Sequence, residues 1–330
     1  MSKKIAVLMG GYSSEYQISL KSGNTVYKHL DRKKYTPYRI HILKDKWVYV
    51  DDDENEYPVN RHDFSVTTEK EHIVFDGAFN AIHGSPGENG YLQAYFDLLG
   101  LPQTSCGFYQ SALTFNKRDT LAVLKPYGIK TAVSYYLNRG DSIDENAIVS
   151  KVGLPCFVKA NRSGSSFGIS KVHEKSALKK AIERAYKEDD EIIIESFLNG
   201  REVSVGVITY QGKVMALPIT EITTDNDFFD YEAKYLGQSK ETTPALLPEG
   251  WAEKVAALAV RIYTLLKLQG FSRSEFIFVD GEPHLLEINT VPGLTDTSLL
   301  PKQAGKAGIS LTDLFANAID TALNNYKKLK

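Results

Sequence analysis

The chain has 330 residues, 42% of them hydrophobic, enough apolar material for two or three separate cores. Lys and Arg number 39 against 41 Asp and Glu, a formal charge of −2, so no global basic field points to nucleic acid and no polybasic arm points to a membrane surface. Cys106 and Cys156 are the only cysteines, without CxxC or His-Cys spacing, which argues against a disulfide framework or a thiolate zinc site and fits a reducing cytoplasm.

The opening MSKKIAVLMGG holds an apolar run of only Ile5 to Met9, too short for a signal peptide or membrane span and read as a first buried strand. It ends in Gly10-Gly11-Tyr12-Ser13-Ser14-Glu15, after which Ile18, Leu20, Val26, Tyr27 and Leu30 recur at helical spacing. A strand, a glycine-rich turn and a helix start form a concave site where backbone N–H groups attract anions. The dinucleotide fingerprint GxGxxG is absent, which argues against hydride transfer. Glu15 at the mouth of this turn suits an ammonium group; equally, an acid in a first helical turn can simply complement the macrodipole.

Tyr38 to Leu43 and Trp47 to Val50 read as strands, with Asp51 to Glu56 a solvated acidic turn. Phe79 to Ile82 is a further buried strand running into His83-Gly84-Ser85-Pro86-Gly87-Glu88-Asn89-Gly90 and a helix over Tyr91 to Leu99. His83 stands where a substrate carboxylate or carbonyl could be met, or where an ordinary structural histidine would sit. Strands alternating with helices over residues 1 to 105 predict a parallel α/β domain.

Ser111 to Lys125 reads as one helix containing Lys117, stopped by Pro126-Tyr127-Gly128. Pro155 to Ala160 and Ile169 to Val172 are strands around the small-residue loop Asn161 to Gly168, which is not a Walker A loop. Such a loop can fold down over phosphates with Lys159 at its base, or it can be a surface hairpin. After a helix over Lys175 to Glu188, the strand Glu191 to Glu195 enters a bend, Glu195-Ser196-Phe197-Leu198, whose backbone could meet an adenine edge, with Glu202 placed for ribose hydroxyls. The strand Val203 to Tyr210 follows. Thr223 to Thr243 is long, polar and rich in aromatics, the pattern of a lid, with Lys234 and Tyr235 delivered on closure. A helix over Trp251 to Leu268 leads into a hairpin, Ser272 to Val279 and Pro283 to Thr290, joined by Asp280-Gly281-Glu282. With a three-residue loop, Glu275 faces Glu287 and Arg273 faces Asn289, while Phe276, Phe278, Leu286 and Ile288 pack on the other side. Two opposed carboxylates and an amide oxygen suit Mg²⁺; the alternative is an exposed polar face with Arg273 pairing one glutamate. Pro292 to Thr295 is a turn, and Leu311 to Leu323 a closing helix.

Seven motifs in this order, GGYSSE, HGSPGENG, Asn116-Lys117, VKANRSGSSFG, ESFLNGRE, DYEAKY and LEINTVPGLTDTSL, span nearly the whole chain. Together they resemble those of the D-alanine:D-alanine ligases of the ATP-grasp superfamily. The resemblance implies three α/β domains: residues 1–107 with a Rossmann-like parallel sheet that covers the substrates, and 108–205 and 206–330 with antiparallel sheets that clasp ATP. It implies a D-alanyl phosphate intermediate, peptidoglycan precursor synthesis in the cytoplasm, and a homodimer joined through the N-terminal domain. It further implies that Glu275, Glu287 and Asn289 hold two Mg²⁺ ions, or Mn²⁺, and that Lys117 and Lys159 meet the α/β-phosphates or adenine, with Lys234 on the γ-phosphate. Arg273 and the Gly293 N–H would stabilise the acyl phosphate and tetrahedral intermediate. Glu15 would bind the first ammonium and form a triad with Ser165 and Tyr235, His83 would lie beside the first substrate, and Ser298 and Leu299 would receive the second carboxylate. Family members that make the D-lactate ester commonly lack the lid tyrosine, so Tyr235 points to a dipeptide product. Three positions depart from the family pattern: Glu275 where Asp is usual, Asn89 where Asp is common, and Ser196 where many relatives carry Lys near the adenine.

Overall fold

The computed structural model describes residues 2–164, 168–224 and 239–329; Ser165, Lys234 and Tyr235 lie outside the described residues, as do Phe228, Phe229 and Tyr231. The first strand, β1 (Lys3–Gly10), keeps Ile5 to Met9 fully out of water, because helices and neighbouring elements cover both faces. It pairs in parallel with β2 (Tyr35–Ile42) on one side and β7 (Gly77–Asn80) on the other, with α1 (Tyr16–His29) crossing between. The third strand therefore starts and ends earlier than the expected Phe79 to Ile82, and Ala81 and Ile82 continue as buried chain beyond the ladder. Within this sheet, parallel pairing is confined to these three strands. From β2 the sheet steps antiparallel through β3 (Trp47–Val50), β4 (Glu56–Asn60), β5 (Ser65–Thr67) and β6 (His72–Ile73), since the short links between them leave no length for a crossover.

After α2 (Tyr91–Leu99), the expected single helix over Ser111 to Lys125 is two: α3 (Phe108–Phe115) and α4 (Lys117–Leu124). Asn116 breaks it. Its backbone is extended (φ −93°, ψ 103°) and its Oδ1 accepts from the Asp119 amide at 3.1 Å, so it caps α4 instead of continuing α3. Lys117 is thereby the first residue of a helix and not a mid-helix side chain. A second sheet follows, in the order β10 (Ser170–Val172), β9 (Cys156–Ala160), β11 (Glu191–Ser196), β8 (Ser134–Asn138), all antiparallel. Its apolar face packs on α5 (Glu145–Val152) and α6 (Leu178–Ala185), with Ile148, Val158, Ile182 and Ile194 in the core.

The third sheet runs β15 (Ser239–Thr242), β14 (Thr220–Thr224), β12 (Arg201–Tyr210), β16 (Phe271–Val279), β17 (Glu282–Asn289), with β13 (Lys213–Ala216) folded back on β12. Helix α7 (Trp251–Leu265) covers one face through Val255, Ala259 and Ile262 against Val203, Val205 and Phe276. The β16–β17 connection corrects the three-residue loop. Val279 pairs Glu282 across a two-residue Asp280-Gly281 turn in which both residues have positive φ (51° and 75°). That turn alone would set Glu275 opposite Leu286 and send Glu287 to the far face. A β-bulge between the Glu275 and Phe276 pairings inserts one residue and restores Glu275 opposite Glu287 and Arg273 opposite Asn289. Leu285, fully buried, fills the core place expected for Leu286, which stays partly exposed.

The last helices are α8 (Leu299–Lys306) and α9 (Leu311–Leu329). Leu314, Phe315 and Ile319 of α9 pack with Ile5, Val7 and Phe79, and Tyr35 Oη donates to Asp320 Oδ1 at 2.7 Å. By packing, the end of the chain belongs to the first sheet. A close approach also marks the entry to β12: a Cβ on Gly200 would overlap the carbonyl oxygen of Phe278 on β16. Gly200→Ala should therefore lower stability by about 1–3 kcal/mol through overpacking, read as a lower urea midpoint at unchanged slope.

Candidate active site

The turns after β1 and β7, the start of α4, the loop after β9 and the β16–β17 hairpin converge on one cleft. Its lining includes Glu15, His83, Glu88, Lys117, Gly164, Arg273, Glu287, Asn289 and Gly293. The floor is the polar side of the hairpin. Glu275 is 4% exposed and ion-paired to Arg273 Nη1, which also donates to Ser204 Oγ at 3.1 Å. Glu287, opposite it, lies 3.4 Å from Lys117 Nζ, and Asn289 Oδ1 accepts from the Val291 amide at 2.9 Å. Opposed carboxylates destabilise a sheet by roughly 0.2–1 kcal/mol, more when desolvated, and here one cation is drawn to each. Among the described residues no group of three or more His, Cys, Asp or Glu gathers. The donors available to a cation on this floor are two carboxylates and one amide oxygen, a hard all-oxygen set that suits Mg²⁺ held jointly with phosphate.

The wall opposite is built from small residues. Glu15, 9% exposed, stands at the start of α1, where its amide donates to Ser13 Oγ and Ser13 Oγ donates to the His83 carbonyl. A Cβ on Gly164 would lie 2.6 Å from Glu15 Oε2, so the described start of the loop after β9 reaches the cleft, and a larger residue there would have to displace that carboxylate. Lys117 Nζ donates to the Ser163 carbonyl at 2.8 Å and so ties the same loop to the floor. Asn161 fixes α4 behind it, accepting from the Arg118 amide at 2.9 Å and donating to Asn116 Oδ1 at 2.9 Å.

Lys159 and the residues of the Glu195 bend gather elsewhere, between the second and third sheets. Burial would lower the Lys159 pKa, yet the Glu195 charge and hydrogen bond at 2.8 Å, with Glu287 and Glu202 beyond, outweigh it and raise it, keeping the ammonium charged. Glu195 Oε1 is buried without a hydrogen-bond partner, an acceptor that a ligand could satisfy. The Phe197 ring faces Phe157 with centroids 6.2 Å apart, and Lys171 Nζ stands 4.4 Å over it. Leu198 is half-buried beside them. The Ser196 amide and hydroxyl hold Val133 in a reciprocal pair at 2.9 and 3.0 Å. Ser298 caps α8, with its Oγ 2.7 Å from Thr295 Oγ1 and 2.8 Å from where a Gly293 Cβ would stand, and Leu299 is the first helical residue. That helix start presents unpaired amides suited to a carboxylate.

Sequence reasoning left Glu88 without a role. It is buried, accepts from the Gly84 amide at 3.0 Å, and points toward the same cleft as Glu15 and Glu287. Burial first, then the Glu15 charge, pushes its pKa up to about 8. The available signal was an acid flanked by glycines at a buried strand's end. Asn89, next to it, donates to Ser85 Oγ at 3.1 Å and so serves the turn's own geometry without needing a charge. Because the folded pKa of Glu88 exceeds its ordinary 4.5, its contribution to stability is full below that value and declines as pH rises to about 8. In metal-free protein, Glu88→Gln should shrink the loss of urea stability between about pH 5 and about pH 8 relative to wild type.

Residues 4–106 match the family described as D-ala D-ala ligase N-terminus, and residues 123–320 match D-ala D-ala ligase C-terminus. The D-alanine–D-alanine ligase of Flavobacterium johnsoniae is 66% identical over 97% of this chain and 99% of its own, and that of Christiangramia forsetii 61% over 98% and 99%. Among solved structures, the VanG D-Ala:D-Ser ligase of Enterococcus faecalis superposes with a TM-score of 0.84 at 32% identity, covering 97% of this chain and 99% of that one. The Bacillus anthracis D-alanine–D-alanine ligase complexed with ATP covers both chains fully, with a TM-score of 0.80 at 29% identity. With both halves matched, and with the glycine turns, the Asn116-Lys117 cap and the acidic hairpin meeting in one cleft, the chain belongs to the D-alanine–D-alanine ligase family and has its ATP-grasp fold.

Proposed function

We propose that the chain joins two D-alanine molecules into D-alanyl-D-alanine, with ATP converted to ADP and phosphate, for peptidoglycan precursor synthesis in the cytoplasm. The observation that carries this reading is the cleft lined both by an acid suited to an ammonium, Glu15, and by the phosphate-type partners Lys117 and Arg273 with the metal-type donors Glu287 and Asn289. In the first step a D-alanine carboxylate oxygen attacks the γ-phosphorus and the bond to ADP breaks. In the second, the amine of another D-alanine attacks the acyl carbon, loses a proton, and phosphate leaves. Both steps need positioning and charge neutralisation more than a protein nucleophile.

Glu15 takes the first ammonium, and the triad with Ser165 and Tyr235 closes the lid over it. Lys117, Lys159 and the lid's Lys234 neutralise the phosphates, while the bend from Glu195 to Leu198 and Glu202 hold the nucleoside. Arg273 and the Gly293 amide stabilise negative charge on the acyl oxygen. Ser298 and the Leu299 amide take the second carboxylate at the start of α8. Two Mg²⁺ ions, or Mn²⁺, held by Glu275, Glu287 and Asn289 would supply charge neutralisation at the phosphates. We further propose three units divided near residues 107 and 205, and a homodimer formed through the first.

Phosphate release from ATP and Mg²⁺, with and without D-alanine and with products separated by chromatography, tests the reaction. D-alanine-dependent phosphate matched by D-alanyl-D-alanine is expected; release only with D-lactate or D-serine as second substrate would replace the product. Glu287→Gln should cut turnover on the order of 100-fold. Near wild-type rates for that variant at limiting Mg²⁺ would remove Glu287 from the metal site.

A further inference from the structure

His83 lines the cleft, yet both of its ring nitrogens are already used. Nδ1 lies 2.7 Å from the carbonyl oxygen of Val291, and since a carbonyl only accepts, Nδ1 carries the proton. Nε2 is then the acceptor for the Ser22 hydroxyl at 2.9 Å. Ser22, on α1 and fully buried, accepts in turn from the Leu294 amide at 3.2 Å. Burial pushes the imidazole below its ordinary range, with Arg273 adding to that and the Glu15 charge and Val291 bond opposing, so the neutral tautomer persists.

These bonds bracket Pro292 and Gly293, with the Val291 carbonyl held on one side and the Leu294 amide on the other. All the groups that hold them come from the first sheet and its helix, whereas the turn follows β17 of the third. A small cavity behind the turn, lined by Asn80, Phe271, Thr290, Val291 and Leu294, leaves close packing incomplete on that side. The polar bracket ties the turn to the first sheet, while Asn289 Oδ1 holds the Val291 amide from β17 and the buried Leu294 side chain packs into the core.

We infer that Ser22 and His83 are positioning residues that clamp the turn from Val291 to Leu294 to α1, setting where the Gly293 amide stands in the cleft. His83 acts through the turn and transfers no proton to or from substrate. This rests on the reading in which the Gly293 amide stabilises the reacting acyl oxygen.

Ser22→Ala tests it, with hydrogen exchange of the peptide spanning the turn measured beside steady-state kinetics on the full chain. Faster exchange confined to the turn is expected, together with a kcat lower by about 10- to 100-fold, an unchanged KM for ATP and a melting temperature lowered only slightly by the two groups left unpaired. His83→Asn, which keeps a donor for Val291, should retain more activity than His83→Ala, and both should keep the pH–rate profile's shape. Wild-type kcat in Ser22→Ala, a loss of rate without faster exchange, or a loss that tracks melting alone overturns the inference. So does a missing acid or base limb in the His83→Asn profile. Should Ser22→Ala not fold, the two His83 variants decide between the same outcomes. A wild-type chain inert toward D-alanine and ATP would fell the functional reading and the catalytic consequence with it, whereas the exchange arm would still decide the clamp.

Discussion

Two carboxylates face each other across adjacent strands, Glu275 buried and Glu287 partly exposed, and the rest of the cleft is arranged around that conflict. Glu275 and Glu287 are paired across the ladder, and each has a cation beside it. The cations come from different places: Arg273 from the same strand, Lys117 from a helix that the chain builds more than 150 residues earlier. The repulsion thus becomes a demand that the sheets assemble. The same two cations are the groups that phosphate would draw.

Close approach of backbone to side chain is the second theme. Gly164 and Gly84 crowd Glu15 from two directions, and Asn161 and Asn116 lock α4 so that Lys117 emerges at its first turn. None of these contacts is large in area. They convert loops into a rigid surround, which matters because a misplacement of about 1 Å can cost a factor near 100 in rate.

Much of this was readable in the sequence, because the strands that end in glycine turns announce themselves by apolar runs followed by small residues. The hairpin shows how a correct pairing can rest on a wrong count: the loop is one residue shorter than read, and the bulge at the Glu275–Phe276 pairing cancels the error. Nothing in Leu285-Leu286 tells which leucine is the buried one. The break at Asn116 was hidden because the flanking periodicity is helical on both sides, and the cap depends on Asn161, far along the chain. Glu88 and Ser22 escaped for a plainer reason: their chemistry comes from burial and from partners on other elements, which spacing does not encode.

The last helix closes the first sheet, and this bears on how the protein comes to exist. Chains emerge from the ribosome in order and domains generally fold as units, N-terminal first. Here the face of β1 and β7 that carries Ile5, Val7 and Phe79 waits for Leu314, Phe315 and Ile319 to be made. Until then that apolar face has from its own end of the chain only Val26 and Leu30 of α1 and Tyr35 as cover, and the first core stays incomplete through most of synthesis. Completion of the N-terminal core is therefore the final act of folding, and it fastens the two ends of the polypeptide together.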